Sequence, residues 1–264
     1  MIIDGRAIAD DIYSELSEFF TAHKAKLGIV VVGENPVIAS FVKIKERSAG
    51  RLGVEMMRVD LPESASQAEI IAAIENLCKK ADAVIAQLPL PNGIDTNAVL
   101  AAIPNEKDVD ALNPSITEED RIVHAPVALA VVEILRRNKV VLEGARTVVV
   151  GAGRLVGAPS AWLLKSLGAD VSMFTLQEGS IEDLKTADII VSGAGKPGFI
   201  KREHLKKGVA LIDAGTSEQD KKVVGDADPT CAEVASISTP VPGGVGPVAV
   251  AMIFRNLVDL VKLK

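Results

Sequence analysis

The chain has 264 residues and carries 29 Lys and Arg against 35 Asp and Glu, a formal charge of −6 that argues against a general nucleic-acid surface. Hydrophobic residues make up 48% and aromatic residues only 3%, so the core must be aliphatic, as suits helices on parallel sheets rather than an aromatic-rich sandwich. Cys78 and Cys231 supply neither a disulfide framework nor a Cys-based zinc site, no apolar run is long enough for a membrane span, and MIIDGRAIADD lacks signal-peptide features. A soluble, intracellular, cytoplasmic protein of one large or two modest domains is expected.

In chain order, DGRAIADDIYSELSEFF carries Ile8, Ile12, Leu16 and Phe19 at helical spacing, and LGIVVVG (27–33) is a short buried strand. VIASFVKIKERSAGRLG (37–53) reads as a helix closed by glycine, followed by the strand VEMMRVD. SQAEIIAAIENLCKK is a third helix, leading to the strand AVIAQ (83–87) and the turn-rich LPLPNG. This repeated βαβ pattern implies a parallel sheet. The polar SITEEDR that follows DVDALNP marks a boundary. Beyond it come the helix PVALAVVEILRRN, the strand ARTVVV (145–150) and further strands at DVSMFT, DIIVSG and VALIDAG. Their spacing is Rossmann-like. VAVAMIFRNLVDLVKLK is a final helix whose apolar residues need a surface, expected on the first domain. The expected fold is α/β with two domains. Residues 1–120 with the helix 247–264 form an α/β domain on a parallel sheet, and 121–246 form a Rossmann-like dinucleotide-binding domain.

The turn Gly151, Ala152, Gly153, Arg154, Leu155, Val156, Gly157 follows a strand and opens a helix. Glycines there permit a tight turn and close approach of backbone amides, and the helix N-terminus attracts pyrophosphate. The spacing G-x-G-x-x-x-G departs from the commonest form, and a tight βα turn without a ligand is the plain alternative. An acid at the end of the next strand would read the NAD ribose, whereas arginine or small polar groups would accept the NADP phosphate. That strand runs into FTLQEG, with Glu178 lying 25 residues past Gly153 and Arg154 the nearest cation. The pattern leans to NAD over NADP.

Lys45 lies four residues past Phe41 on the second helix, beside Ile38 and Val42. Such a lysine is either a partly desolvated base of lowered pKa or an amphipathic side chain reaching solvent. Gln87 ends a buried strand, where ligands bind in open α/β sheets, or else satisfies its own turn. Asp108 and Asp110 in KDVDALNP either cap the turn or receive a ligand's donors. No histidine has metal-ligand spacing, and no metal is expected. In TPVPGGVGPVAV, rigid prolines and bare glycines read as backbone held out to touch a ligand.

Together these segments resemble the bifunctional methylenetetrahydrofolate dehydrogenase/cyclohydrolase family. The resemblance is carried by IIDGRAIA, VGENP, FVKIK, QLPLPNGID, NEKDVDALNP, VGAP, GAGKPGFI, VVGDAD and TPVPGGVGP, in the family's order across nearly the whole chain. It implies NAD(P)-dependent oxidation of methylenetetrahydrofolate to the methenyl form, then hydration to formyltetrahydrofolate, in a homodimer whose partners are tetrahydrofolate derivatives. By resemblance Lys45 handles protons, Gln87 tunes it and Asp110 binds the pterin. Phe41, Leu88, Pro89, Pro242, Gly243, Gly244 and Val245 would line the substrate, while Gln177, Glu178 and Gly195 would join the glycine turn at the cofactor.

The chain departs from the family at chemically pointed places. Phe41 stands where the family has tyrosine, Ile38 where it has serine, and TLQE (175–178) where it has HSKT or HSRT. VHAP replaces PCTP, and Val248-Ala249 replaces Met-Thr. Hydride transfer depends mainly on proximity, whereas hydration depends on proton handling, so a dehydrogenase with weakened cyclohydrolase activity is expected. Two alternatives remain at this level: a dehydrogenase of a different pterin one-carbon carrier, and a non-catalytic homologue that binds folate or nucleotide.

Overall fold

The computed structural model describes residues 1–175, 179–219 and 222–263. The chain divides into two compact units, each assembled from two stretches: Asp11–His124 with Ile253–Lys264, and Met1–Asp10 with Ala125–Met252.

The first of these is built on three strands. Helix α1 (Gly5–Ala22) enters it from residue 11 onward and is followed by β1 (Lys26–Val32), α2 (Pro36–Leu52), β2 (Glu55–Leu61), α3 (Gln67–Cys78), β3 (Ala83–Ala86) and the short α4 (Thr96–Ala101). The sheet order is β2-β1-β3, all parallel. Strand β1 is buried from Leu27 to Val32. Cover on both faces explains why its sequence is an unbroken apolar run instead of an alternation. On α1 the buried stripe is Ile12, Tyr13, Leu16 and Phe20. Phe19, expected on that stripe, is only half-buried and stacks on His23 with ring centroids 4.2 Å apart; Phe20 takes the core position, one turn beyond Leu16. Ser66 starts α3 with a capping box, accepting the Glu69 N–H while the Glu69 side chain receives the Ser66 N–H.

The second unit contains α5 (Pro126–Arg137), β4 (Arg146–Val150), α6 (Gly157–Ser166), β5 (Asp170–Phe174), β6 (Ile189–Ser192) and β7 (Ala210–Asp213). A small antiparallel hairpin, β8 (Ser217–Gln219) with β9 (Lys222–Val224), and a two-residue strand, β10 (Ile237–Ser238), complete it before α7 (Val245–Val261). Its main sheet has the order β10-β7-β6-β4-β5, all parallel. Hairpin and β10 carry too few alternating residues to be seen in the sequence. The β5–β6 and β6–β7 connections use 3-10 turns at Ile181–Thr186 and Arg202–His204. Residues of α7 from Ile253 on belong to the three-stranded unit, where Phe254, Leu257 and Leu260 are buried and Phe254 meets Tyr13 edge-on.

Both sheets share one topological event. The chain leaves a central strand for a neighbour on one side (β1 to β2, β4 to β5), then crosses to the other side (β3, β6). At such a reversal the loops leaving the two central strands diverge, and the crevice at the strands' carboxyl ends is where open α/β sheets bind ligands.

Candidate active site

In the three-stranded unit the reversal lies between β1 and β3. Gln87 follows β3 directly, and its backbone N–H donates to the Val30 carbonyl of β1 at 2.9 Å. The side chain is therefore delivered to the crevice. Its Nε2 donates to the Leu88 carbonyl (2.7 Å), which leaves Oε1 to accept from Lys45 Nζ at 2.7 Å. An ammonium has only donors, so this amide orientation is the one that satisfies both groups. Ile38, Val42, Ala49 and Leu52 fix α2 to the core, and the helical spacing turns Lys45 inward beside Val42.

Lys45 and Asp110 form the charged part of this cluster. Burial pushes the Lys45 ammonium below its usual range, and the Asp110 carboxylate pulls it back up. Conversely, burial raises Asp110 and the lysine charge lowers it. Both residues keep intermediate exposure. The result is a lysine less basic than one in water, with an acceptor already on its ammonium and solvent access to it. Those are the properties a proton-transfer group needs.

The two aspartates of KDVD divide their work. Asp108 is 2% exposed, and its Oδ2 accepts the N–H groups of Leu112 (2.8 Å) and Asn113 (2.7 Å), closing a turn in which Ala111 takes φ +55°. Burial lifts the Asp108 carboxyl to about 6, against the pull of those two N–H groups and Arg121. Between the aspartates, the Val109 carbonyl accepts from Asn256 Nδ2 at 2.9 Å, and the same amide donates to the His124 carbonyl at 2.8 Å. Asn256 thus pins the backbone that presents Asp110. Sequence reasoning passed over it, although one asparagine inside the apolar VAVAMIFRNLVDLV is the pattern of a buried polar tie. Of the remaining substrate-side candidates in this unit, Phe41 is 42% exposed, Leu88 packs against the core and Pro89 is exposed.

In the five-stranded unit the reversal lies between β4 and β6, and glycines fill it. Gly151 takes φ +94°, and a Cβ there would lie 2.8 Å from the Gly193 carbonyl oxygen. A Cβ on Gly157 would lie 1.8 Å from the Gly151 carbonyl oxygen, so both positions are glycine because the chain itself leaves no room. Gly153 differs: a Cβ there would meet nothing within 4 Å. Gly153 and Gly195 face open space, while Arg154 and Leu155 are exposed at the mouth of the turn and Val156 lies over Gly193. Bare amides ahead of α6, with room in front of them, fit a dinucleotide pyrophosphate. Gln177 and Glu178, on which the NAD preference was read, lie outside the described residues.

The TPVPGGVGP segment has a partner within its own unit. Gly5 donates its N–H to the Gly243 carbonyl at 3.0 Å, and a Cβ on Gly5 would sit 1.8 Å from the Gly244 oxygen. The bare backbone is thus pressed onto the IIDGR segment, joining two motifs distant in sequence. Gly244 and Val245 are buried there, whereas Pro242 is exposed and, with Gly243, lines an open groove of about 360 Å³ shared with Ile3, Asp4 and Arg6.

A lysine–amide–carboxylate cluster at one strand reversal and a glycine-lined seat at another define a two-unit α/β protein of the dinucleotide-dependent enzyme class. The family model described as the tetrahydrofolate dehydrogenase/cyclohydrolase catalytic domain matches residues 3–110, and that of the same family's NAD(P)-binding domain matches 125–264. The bifunctional protein FolD of Halothermothrix orenii is 36% identical across 97% of this chain and 96% of its own. Among solved structures, the bifunctional FolD of Campylobacter jejuni superposes with a TM-score of 0.93 at 30% identity, covering 100% of this chain and 99% of that one. The FolD of Trypanosoma brucei, solved with NADP and an inhibitor, gives 0.92 at 33% identity, covering 100% and 97%. The chain belongs to the tetrahydrofolate dehydrogenase/cyclohydrolase family. Among the described residues, no helix is long and apolar enough to cross a membrane.

Proposed function

We propose that this chain catalyses the NAD(P)-dependent oxidation of methylenetetrahydrofolate to methenyltetrahydrofolate and the hydration of that product to formyltetrahydrofolate. The observation that carries the reading is the Lys45–Gln87 hydrogen bond of 2.7 Å beside Asp110, at the carboxyl end of β3. NAD(P)⁺, when bound at the glycine turn, supplies the acceptor for the hydride that leaves the one-carbon bridge. Hydration adds water to the methenyl carbon and breaks one of its bonds to nitrogen. A proton leaves the water and another reaches the departing nitrogen. Lys45 Nζ, softened by burial, relays these protons, Gln87 Oε1 holds it in register, and Asp110 accepts donors from the pterin ring.

The finer reading is that hydration is the weaker step. Phe41 offers no hydroxyl beside Lys45, and Ile38 is buried and apolar. A lost catalytic hydrogen bond costs roughly one to three factors of ten in rate. NAD⁺ is preferred on the strength of Glu178, and the protein acts in the cytoplasm as a homodimer. The test follows absorbance as purified protein meets methylenetetrahydrofolate with NAD⁺ or with NADP⁺, since reduced nicotinamide and the methenyl product absorb at separable wavelengths. Reduction of nicotinamide with accumulation of the methenyl species is expected. Reduction of neither cofactor would remove the dehydrogenase reading. A rapid hydration step that disappears in Lys45→Met would remove the weakened-hydration reading alone.

A further inference from the structure

Asp226, in VVGDAD, lies outside every helix and strand of the five-stranded unit, yet it is 0% exposed. Its carboxylate is fully engaged. Oδ2 accepts from Ser192 Oγ and from the Ala194 N–H, both at 2.7 Å, and Oδ1 accepts from the Lys196 N–H at 2.7 Å. All three donors come from one stretch, the end of β6 and the turn that follows it. The far end of that turn is tied to the same segment, because Gly198 donates to the Gly225 carbonyl (3.2 Å) and Ile200 to that of Asp226 (2.9 Å).

This turn forms one wall of the glycine seat. A Cβ on Gly193 would lie 2.4 Å from the Val156 side chain, and one on Gly151 would lie 2.8 Å from the Gly193 oxygen. With contacts that close, a displacement of the turn passes directly to Gly151 and Val156. A second buried acid supports the first. Asp213, at the end of β7, accepts from the N–H groups of Gly215 (2.9 Å) and Ala227 (2.8 Å), so it grips the residue next to Asp226. Gly215 has no room for a side chain because the Asp226 carboxylate stands where its Cβ would be, 2.3 Å from Cγ.

We propose that Asp226 is a positioning residue for the cofactor: it sets the Gly193–Lys196 turn against the Gly151–Gly157 turn and so fixes the seat that receives the dinucleotide. The proposal rests on the reading that this strand reversal binds NAD(P)⁺. A carboxylate suits the task because it accepts at both oxygens. An asparagine of the same shape would turn an N–H₂ group toward one of the donors it now receives.

The experiment measures KM for the nicotinamide cofactor and for methylenetetrahydrofolate, together with the cofactor Kd by calorimetry, in wild type, Asp226→Asn and Ser192→Ala. Asp226→Asn is expected to raise the cofactor KM and Kd about tenfold or more, the worth of a hydrogen bond to a charged acceptor. The KM for methylenetetrahydrofolate should stay within about twofold, a split that loss of folded protein alone would not produce. Ser192→Ala keeps the carboxylate and both its backbone bonds. It should show the same split at roughly two- to fivefold, and it carries the test if Asp226→Asn does not fold. A cofactor KM and Kd unchanged in Ser192→Ala and in any soluble Asp226→Asn would overturn the proposal, as would an equal rise in both KM values. A wild type that binds cofactor without turnover would defeat the functional reading while the Kd values still decide the role of Asp226.

Discussion

The two sheets reverse direction in the same way and furnish the resulting crevice by opposite means. Between β1 and β3 the chain places side chains: a lysine, an amide and a carboxylate, with burial and opposite charge acting against each other on their proton affinities. Between β4 and β6 it removes them: a Cβ on Gly151 or Gly157 would collide with a backbone carbonyl, and one on Gly193 with the Val156 side chain. The first arrangement can move a proton, because titratable groups sit partly out of water. The second can only hold, because backbone does not titrate, but bare backbone allows a ligand to approach at close range. One topology therefore serves reaction or retention according to whether the reversal is filled or emptied.

The sharpest way to separate the two is Lys45→Met. It should lower the hydration rate by about 10²- to 10⁴-fold, the usual worth of a positioned acid–base group, while calorimetry shows cofactor affinity unchanged. A matching fall in cofactor affinity would break the division of labour. On the other side, Gly157→Ala puts a methyl 1.8 Å from the Gly151 oxygen and should weaken cofactor binding about 100-fold as the turn is forced open. Gly153→Ala meets no chain atom within 4 Å. Its unfolding midpoint should not move, and its cost should fall on cofactor affinity alone, at about tenfold. If Gly153→Ala binds cofactor as wild type does, the ligand does not approach that amide.

Asp108→Asn tests whether the buried acid of the KDVD turn is scaffold or chemistry. The folded carboxyl keeps its proton up to about pH 6, whereas an unfolded aspartate releases it near 3.8. Asp108 therefore contributes stability that is fully present below about pH 4 and is lost as the pH rises to 6, with no further change above. Asparagine lacks this dependence, and its single carbonyl oxygen can receive both N–H groups that Oδ2 now accepts. Relative to wild type, the variant should gain on the order of 2 kcal/mol in unfolding free energy between pH 4 and pH 7. Urea titrations at the two pH values read this directly. Equal slopes would mean that Asp108 is ionised throughout. The smallest effect belongs to Ser66→Ala, which opens the capping box of α3. It should cost about 1 kcal/mol, seen as a lower urea midpoint with both reaction steps unchanged.

Much of this was legible in the sequence because strand–turn–helix alternation and glycine spacing are local signals. The strands that carry both reversals fell where their apolar runs placed them, and GAGRLVG announced its own turn. Lys45 was visible but ambiguous, because an inward lysine and one reaching solvent share the same spacing; only the meeting with Gln87, 42 residues away, decides its direction. Asp108 and Asp110 were interchangeable as letters, and they separate only when Leu112 and Asn113 turn their N–H groups onto one of them. Asn256 acts across 147 residues on Val109, and Asp226 across 34 on Ser192. Tertiary ties of this kind leave no periodic trace.

That both units are assembled from separate stretches has a consequence for biosynthesis. The three-stranded unit buries Phe254, Leu257 and Leu260 in a core otherwise supplied before residue 125, and the five-stranded unit pairs Ile2 with Ser238. Domains commonly fold in turn as they leave the ribosome. Here neither unit completes its core or its sheet edge until translation has passed well beyond residue 230, so the early segment waits, with the cleft that will hold Lys45 lacking its Asn256 tie, for about 130 further residues to be made. A nascent-chain stall before residue 250 would therefore leave two incomplete bodies rather than one finished and one pending, and holdase chaperones would meet both.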